Sequence, residues 1–274
     1  MDATFMPVQT ESFGFIRKLH NRNPLLFDVA IAHLVLLLVM LVIAPFDGRT
    51  VMGVNPWIKP MKFAASIAIY LLTMGWLLDE LPWREKTRRR VNWAIAGTLI
   101  VEIVLITMQA ARGVTSHFNK ATVFDAAVFA VMGTAITLNI LVAAYVALKF
   151  WRTAALPAPY LWGIRLGLTI FVLASLEGFA MVAHSAHSVG VADGGAGLPV
   201  VNWSTRGGDL RVAHFFGIHA LQVLPLIGYI LSSKRAAELS LNSARWVQAA
   251  GVVYAFFSLL LFLWAMAGRP LISL

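Results

Sequence analysis

The sequence predicts an all-α integral membrane protein, built as a bundle of seven membrane-spanning helices. Of its 274 residues, 59% are hydrophobic and only 13% are charged, a balance far from that of soluble domains. Seven apolar stretches are each close to the roughly 20 residues that a helix needs to cross a hydrocarbon core of about 30 Å. The long apolar runs also lack the alternating pattern that the strands of a membrane barrel require.

The predicted spans follow one another closely, and short connections favour antiparallel neighbours in one bundle. We place them at Phe27–Pro45, Phe63–Leu78, Val91–Ala111, Ala121–Leu148, Tyr160–His187, Arg211–Leu231 and Ala244–Gly268. They form one predicted membrane domain at 27–268, after an amino-terminal segment at 1–26 and before a tail at 269–274. The longest connection is a glycine-rich loop at 188–210.

The basic residues predict how the bundle is oriented. Fourteen of the 22 lysines and arginines fall on the side of the amino terminus. Because basic residues concentrate on the cytoplasmic side, we expect a cytoplasmic amino terminus and an external carboxyl terminus. The predicted location is a cell membrane, with several passes, as in a bacterial inner membrane. Most of the net charge of +9 is then expected to interact with the head groups of the lipid bilayer. Nucleic acid is therefore not an expected partner.

Five of the seven histidines lie at the predicted external face, at or near the ends of spans. They are His117, His184, His187, His214 and His219. Imidazoles are costly beside a bilayer without partners, so their grouping predicts a shared ligand, metal or proton path. The chain has no cysteine, which excludes thiolate ligands, iron-sulfur clusters and a cysteine nucleophile. A metal would therefore need nitrogen and oxygen donors.

Two carboxylates fall midway along predicted spans, Glu102 in the third and Glu177 in the fifth. A charged side chain at a helix centre costs about 2.5–3.5 kcal/mol on insertion scales, so both are expected to face the bundle interior. On the fifth span, the spacing of Glu177, His184 and His187 predicts that all three share one helical stripe that leads to the external face. On the sixth span, His214 and His219 are five residues apart. Their side chains are therefore expected to point about 140° apart around the helix.

Three interpretations of these residues compete. The histidines, with a carboxylate, bind haem or a transition metal ion such as iron, copper, manganese or zinc. Alternatively, the same groups relay protons or ions in a transporter, from the middle of the membrane outward. In the third interpretation they only hydrogen-bond across helices and hold the bundle together.

The leading expectation is a membrane oxidoreductase that depends on haem or a metal and acts on a small-molecule or quinone-like substrate. Arg112 and Arg211 are expected to hold an anionic propionate or carboxylate, because guanidinium groups bind carboxylates with two hydrogen bonds. Glu102 and Glu177 are the expected catalytic proton carriers. The expected metal ligands are Glu177 and the five histidines at 117, 184, 187, 214 and 219. The alternative is the proton- or ion-coupled transporter.

Overall fold

A computed structural model of the chain describes residues 9–233 and 242–274, with side chains from residue 14 onward. The described residues are mainly helical, and seven of their helices are long and apolar enough to cross a membrane. The predicted all-α class and the number of candidate spans are therefore confirmed, and the orientation of the termini stays a prediction. The first eight residues of the predicted amino-terminal segment lie outside the described residues, as do residues 234–241.

The described helices are numbered in chain order. They are α1 (Gln9–Arg22), α2 (Pro24–Ile43), α3 (Ile58–Asp79), α4 (Glu85–Arg112), α5 (Val123–Trp151), α6 (Ala158–His184), α7 (Leu210–Leu231) and α8 (Ser243–Met266). Two short strands, β1 (Ser188–Val189) and β2 (Gly208–Asp209), pair antiparallel, with Ser188 opposite Asp209. Helices α2 to α8 are the seven candidate spans.

Because successive spans run in opposite directions, the connections gather at two ends. We call the end with connections 47–57, 113–122 and 185–209 the loop end, and the opposite end the α1 end. The loop-end connections are tied to the helices around them. Arg49 Nη1 donates to the carbonyl of Ala111 at 3.0 Å, and Lys62 Nζ donates to the carbonyl of Val201 at 3.0 Å.

Helices α6 and α7 pack at backbone distance along a seam of small residues. A Cβ atom on Gly163 would lie 2.3 Å from the carbonyl oxygen of Leu224, and one on Gly217 would lie 2.3 Å from Ala174 Cβ. Only glycine leaves enough room for such an approach. Close packing of this kind stabilises helix pairs in lipid, where the hydrophobic effect gives little drive between helices.

A chain of polar side chains crosses the middle of helices α3, α5 and α4. The Tyr70 hydroxyl donates to Asn139 Oδ1 at 2.9 Å, and Asn139 Nδ2 donates to Thr98 Oγ1 at 3.0 Å. Thr98 Oγ1 in turn donates to the carbonyl of Ala94 at 2.8 Å. Buried polar groups need such partners in a membrane, and these hydrogen bonds fix the three helices in register.

The fifth span ends earlier than the sequence predicts. Helix α6 stops at His184, because Ser185 takes a left-handed conformation with φ of 52°. His187 therefore belongs to the connection that leads into β1. The prediction that His187 shares a helical stripe with Glu177 is wrong, since the helix that would carry the stripe has already ended.

The predicted polar segment at the amino terminus contains a helix, α1. The chain breaks between α1 and α2 at Asn23, which has an extended φ of −155° and caps α2 by accepting a hydrogen bond from the Leu26 N–H. Arg22 anchors the end of α1, because its Nη1 donates to Glu80 Oε1 at 2.7 Å. Helix α1 is thus a separate element fixed to the α1 end of the bundle.

Candidate functional site

A carboxyl group and an imidazole meet inside the bundle near the loop end. Glu102 lies on α4, about 15 Å from the end of that helix at 1.5 Å per residue, and its side chain is 5% exposed. His117 Nε2 is 3.8 Å from Glu102 Oε1. The other carboxyl oxygen, Oε2, is buried and has no hydrogen-bond partner among the described residues. Such a carboxyl can take up and release a proton, since its charged form is costly in this setting.

The surroundings of His117 fix how its ring is used. Three phenyl rings lie around the imidazole, with centroids 5.8–6.2 Å away: Phe63, Phe118 and Phe129. Ser116 Oγ lies 3.0 Å from His117 Nδ1. When the Ser116 hydroxyl donates to Nδ1, the ring proton is on Nε2 and faces Glu102.

Burial and nearby charges control the protonation of His117. Burial lowers the pKa of His117 well below its ordinary value, and the neighbouring Lys59 and His187 lower it further. His117 is therefore neutral at neutral pH and can both donate and accept a proton. Lys59, in the first turn of α3, also lies within electrostatic range of Glu102.

A second pair of imidazole and carboxylate lies in connection 185–209. His187 Nδ1 donates to Asp193 Oδ2 at 2.9 Å, and the backbone N–H groups of His187 and Ser188 donate to the same carboxylate at 2.9 and 2.8 Å. Although burial opposes the effect, these hydrogen bonds hold the pKa of Asp193 well below its ordinary range. Burial lowers the pKa of His187, even though Asp193 pulls it upward. Nε2 of His187 is left to exchange a proton.

The ring of Phe118 contacts both imidazoles. Its centroid lies 5.0 Å from that of His187 and 6.2 Å from that of His117. The Phe118 backbone has a φ of 58°, an uncommon conformation for a bulky residue. Phe118 therefore joins the two imidazoles in one cluster of rings. We call Lys59, Glu102, His117, His187 and Asp193 the loop-end cluster.

The two arginines predicted to hold an anion are already paired with carboxylates of the chain. Arg112 Nη1 lies 2.5 Å from Asp125 Oδ1, and Arg211 Nη2 lies 2.6 Å from Asp209 Oδ2. Asp125 also accepts a hydrogen bond from Gln109. An added anion would have to compete with these internal carboxylates for either guanidinium group.

The other three histidines of the predicted site lie apart from the loop-end cluster. His184 is exposed at the end of α6. His214 Nδ1 donates to the carbonyl of Ala174 on α6 at 3.0 Å. His219 Nδ1 donates to the carbonyl of Phe215 in its own helix at 2.7 Å, and the two rings lie 4.3 Å apart. The structure thus joins two helices through His214 and satisfies His219 within α7.

Glu177, the second predicted carboxylate, is half-buried on α6. Its Oε2 atom is buried without a hydrogen-bond partner, and no ion pair joins Glu177 to another residue of the described ranges. The structure therefore does not connect Glu177 to the nearby histidines. In this respect it differs from Glu102, which has an imidazole beside it.

Haem and metal binding remain predictions. Among residues 9–233 and 242–274, no group of three or more histidine, aspartate and glutamate side chains could hold a metal ion. The two histidines on α7 use Nδ1 for carbonyl oxygens, which leaves Nε2 as the only nitrogen that either could offer to a metal.

Two members of the loop-end cluster, Lys59 and Asp193, were not predicted from the sequence. A signal for Asp193 exists, since Asp-Gly at 193–194 marks a tight turn in which an aspartate side chain binds nearby backbone N–H groups. For Lys59 the signal is weaker. Lysines before an apolar span also suit the head-group region, and only the fold shows that Lys59 reaches the interior.

The fold and this site define a multi-pass membrane protein with a buried carboxyl–imidazole pair near one end of its helix bundle. Comparison with known proteins does not assign it to a family. No family model matches the chain, and no curated protein or solved structure is detectably similar to it.

Proposed function

We propose that this protein is a proton-coupled membrane transporter whose proton site is the Glu102–His117 pair. The observation that carries the proposal is the 3.8 Å approach of a neutral imidazole to a buried carboxyl that has one oxygen free. Ionisable groups inside membranes are costly and commonly mark proton relays. A purely structural carboxyl would be expected to have both oxygens hydrogen-bonded.

The loop-end cluster supplies the groups that a relay requires, in order of depth. His187 Nε2 takes a proton at the loop end while Nδ1 stays hydrogen-bonded to Asp193. Movement of the Phe118 ring then lets the proton reach His117, and Nε2 of His117 passes it to Glu102. Glu102, within electrostatic range of Lys59, then releases the proton. Arg211 and Lys62 are the other charges within range of Lys59.

The test is proton flux into liposomes that contain the purified protein. A pH gradient is imposed, the membrane potential is clamped with potassium and valinomycin, and a dye inside the liposomes reports pH. We expect the wild-type protein to speed the decay of the gradient, and Glu102→Gln to return the rate to that of protein-free liposomes. Glutamine has nearly the same shape as glutamate but cannot bind a proton in this range.

Glu177→Gln is the matched comparison, because Glu177 is also a carboxylate within a span but has no imidazole beside it. We expect this variant to keep most of the wild-type flux. An infrared difference spectrum between acidic and alkaline pH checks that Glu102 itself titrates, through a carboxylic acid band that Glu102→Gln removes. Wild-type liposomes that lose the gradient no faster than empty ones, together with an infrared spectrum from which Glu102→Gln removes no carboxylic acid band, would rule the proposal out.

A further inference from the structure

Helix α1 presents apolar and basic side chains side by side at the α1 end of the bundle. Phe15 and Ile16 are 57% and 51% exposed. Arg17 and Lys18, directly after them, are exposed as well. A short helix with an apolar side and a basic side is typical of a segment that lies in the plane of a membrane interface.

Contacts with α3 hold this helix in place. The guanidinium carbon of Arg22 lies 3.7 Å from the centre of the Trp76 ring, and Lys18 Nζ lies 5.4 Å from it. Phe15 approaches the same ring, with centroids 6.4 Å apart. Arg88 Nη2 also donates to the Arg22 carbonyl at 2.6 Å. Ile16 takes no part in these contacts and remains free to enter lipid.

More positive charge lies at the start of α4, at the same end of the bundle. Its exposed basic residues are Arg84, Lys86, Arg89 and Arg90. Exposed tryptophans that suit the head-group region lie at this end too: Trp93, Trp151 and Trp246. The α1 end is therefore both strongly basic and placed at the level of the lipid head groups.

We propose that α1 is an interfacial helix that binds anionic phospholipid head groups through Arg17 and Lys18, with Ile16 inserted among the acyl chains. Basic residues next to a membrane span attract anionic lipids electrostatically, and a partly inserted apolar side chain adds to the binding. The lipid would hold α1 flat against the bundle. This surface is independent of the proton site at the loop end.

The lack of cysteine in the chain gives a direct test of depth, since one introduced cysteine can be labelled alone. Ile16→Cys and Gly14→Cys are each labelled with a nitroxide in nanodiscs of phosphatidylcholine and phosphatidylglycerol. The two positions lie about 200° apart around the helix, and space beside Gly14 is open. We expect the label at 16 to be reached mainly by oxygen, and the label at 14 by a water-soluble nickel chelate. Equal access of the chelate to both labels would overturn the insertion.

Lipid charge is tested with two double variants that remove the same charge at opposite ends. Arg17→Gln with Lys18→Gln acts at α1, and Lys120→Gln with Arg206→Gln acts at exposed positions of the loop end. Phosphatidylglycerol is expected to raise the melting temperature of the wild type above that in phosphatidylcholine alone. The α1 double variant should lose at least half of that rise, and the loop-end variant should keep it. An equal rise in both variants would contradict the proposal.

Discussion

The loop-end cluster and the α6–α7 seam contain the same residue types but use them differently. In the cluster, imidazoles face carboxyl groups, either from another element, as in His117–Glu102, or from the same connection, as in His187–Asp193. Along the seam, His214 binds a backbone carbonyl, and Glu177 has no hydrogen-bond partner for its buried oxygen. Residue type alone therefore does not mark a site. Two titratable groups that face each other indicate a functional site more strongly than a histidine that is hydrogen-bonded to a backbone carbonyl.

The backbone explains this difference. Glycines bring α6 and α7 so close together that little space is left for a ligand between them. At the loop end, the connections fold inward and carry His117 and His187 towards the helices. Function tends to reside where irregular segments are positioned by a rigid scaffold, and the seam is part of that scaffold.

The largest expected effect is on the packing of the seam. Gly163→Ala should destabilise the protein by about 1–3 kcal/mol, the usual cost of overpacking, because the new Cβ meets the Leu224 carbonyl oxygen at 2.3 Å. Gly97→Ala is the control, since no atom lies within 4 Å of the position of its Cβ. Thermal unfolding in detergent measures both. Equal stability of the two variants would show that α6 and α7 are not packed this closely.

A smaller effect is expected at His214, and it separates a packing role from metal binding. His214→Leu removes the hydrogen bond to the Ala174 carbonyl and should cost about 1 kcal/mol. His214→Asn places an amide N–H close to the position of Nδ1 and should recover most of that loss. Elemental analysis and a visible spectrum accompany the unfolding measurements. If wild type holds stoichiometric metal or haem and both variants lose it, the haem-or-metal prediction is supported and the packing role fails.

The smallest effect concerns the pH dependence of stability. Because burial lowers the pKa of His187, the unfolded chain takes up a proton there below about pH 6.5 while the folded protein does not. Stability is therefore present above that pH and is lost as pH falls. His187→Asn can still donate to Asp193 but does not titrate, so its stability should fall less on acidification.

Thermal unfolding between about pH 8 and pH 5 measures this difference. The low pKa of Asp193 keeps that residue charged across the range, so its own contribution stays constant. His117, whose pKa is also lowered, still titrates in the variant and leaves part of the slope. Identical slopes for wild type and His187→Asn would mean that His187 is not buried in the folded protein.

The spans were predictable because membrane helices need long apolar runs, and the seven runs in this sequence coincide with α2 to α8. The end of α6 could not be predicted, because no residue around Ser185 requires a left-handed backbone conformation there. Helix α1 escaped prediction for a different reason. Its sequence is mostly polar, and its apolar side chains are recognised as one side of a helix only when the helix is seen beside a membrane surface.

The site was predictable in part. Burial cost singled out Glu102, and the grouping of histidines near one face drew attention to His117 and His187. Which histidine meets which carboxyl depends on the paths of the connections 113–122 and 185–209, and long-range pairing of this kind leaves no local pattern in the sequence. The pairing of Lys59 with this cluster has the same origin.

The hydrogen-bonded chain of Tyr70, Asn139 and Thr98 lies deeper in the bundle than Glu102, as seen from the loop end. Thr98 lies one helical turn, about 6 Å, beyond Glu102 on the way to the α1 end. Its hydrogen bond to Asn139, which in turn accepts one from Tyr70, links α4 to α5 and α3 at this level. Under the proposed transport function, cargo would cross this level only after the hydrogen bonds between α3, α4 and α5 had broken, a rearrangement that alternating access requires.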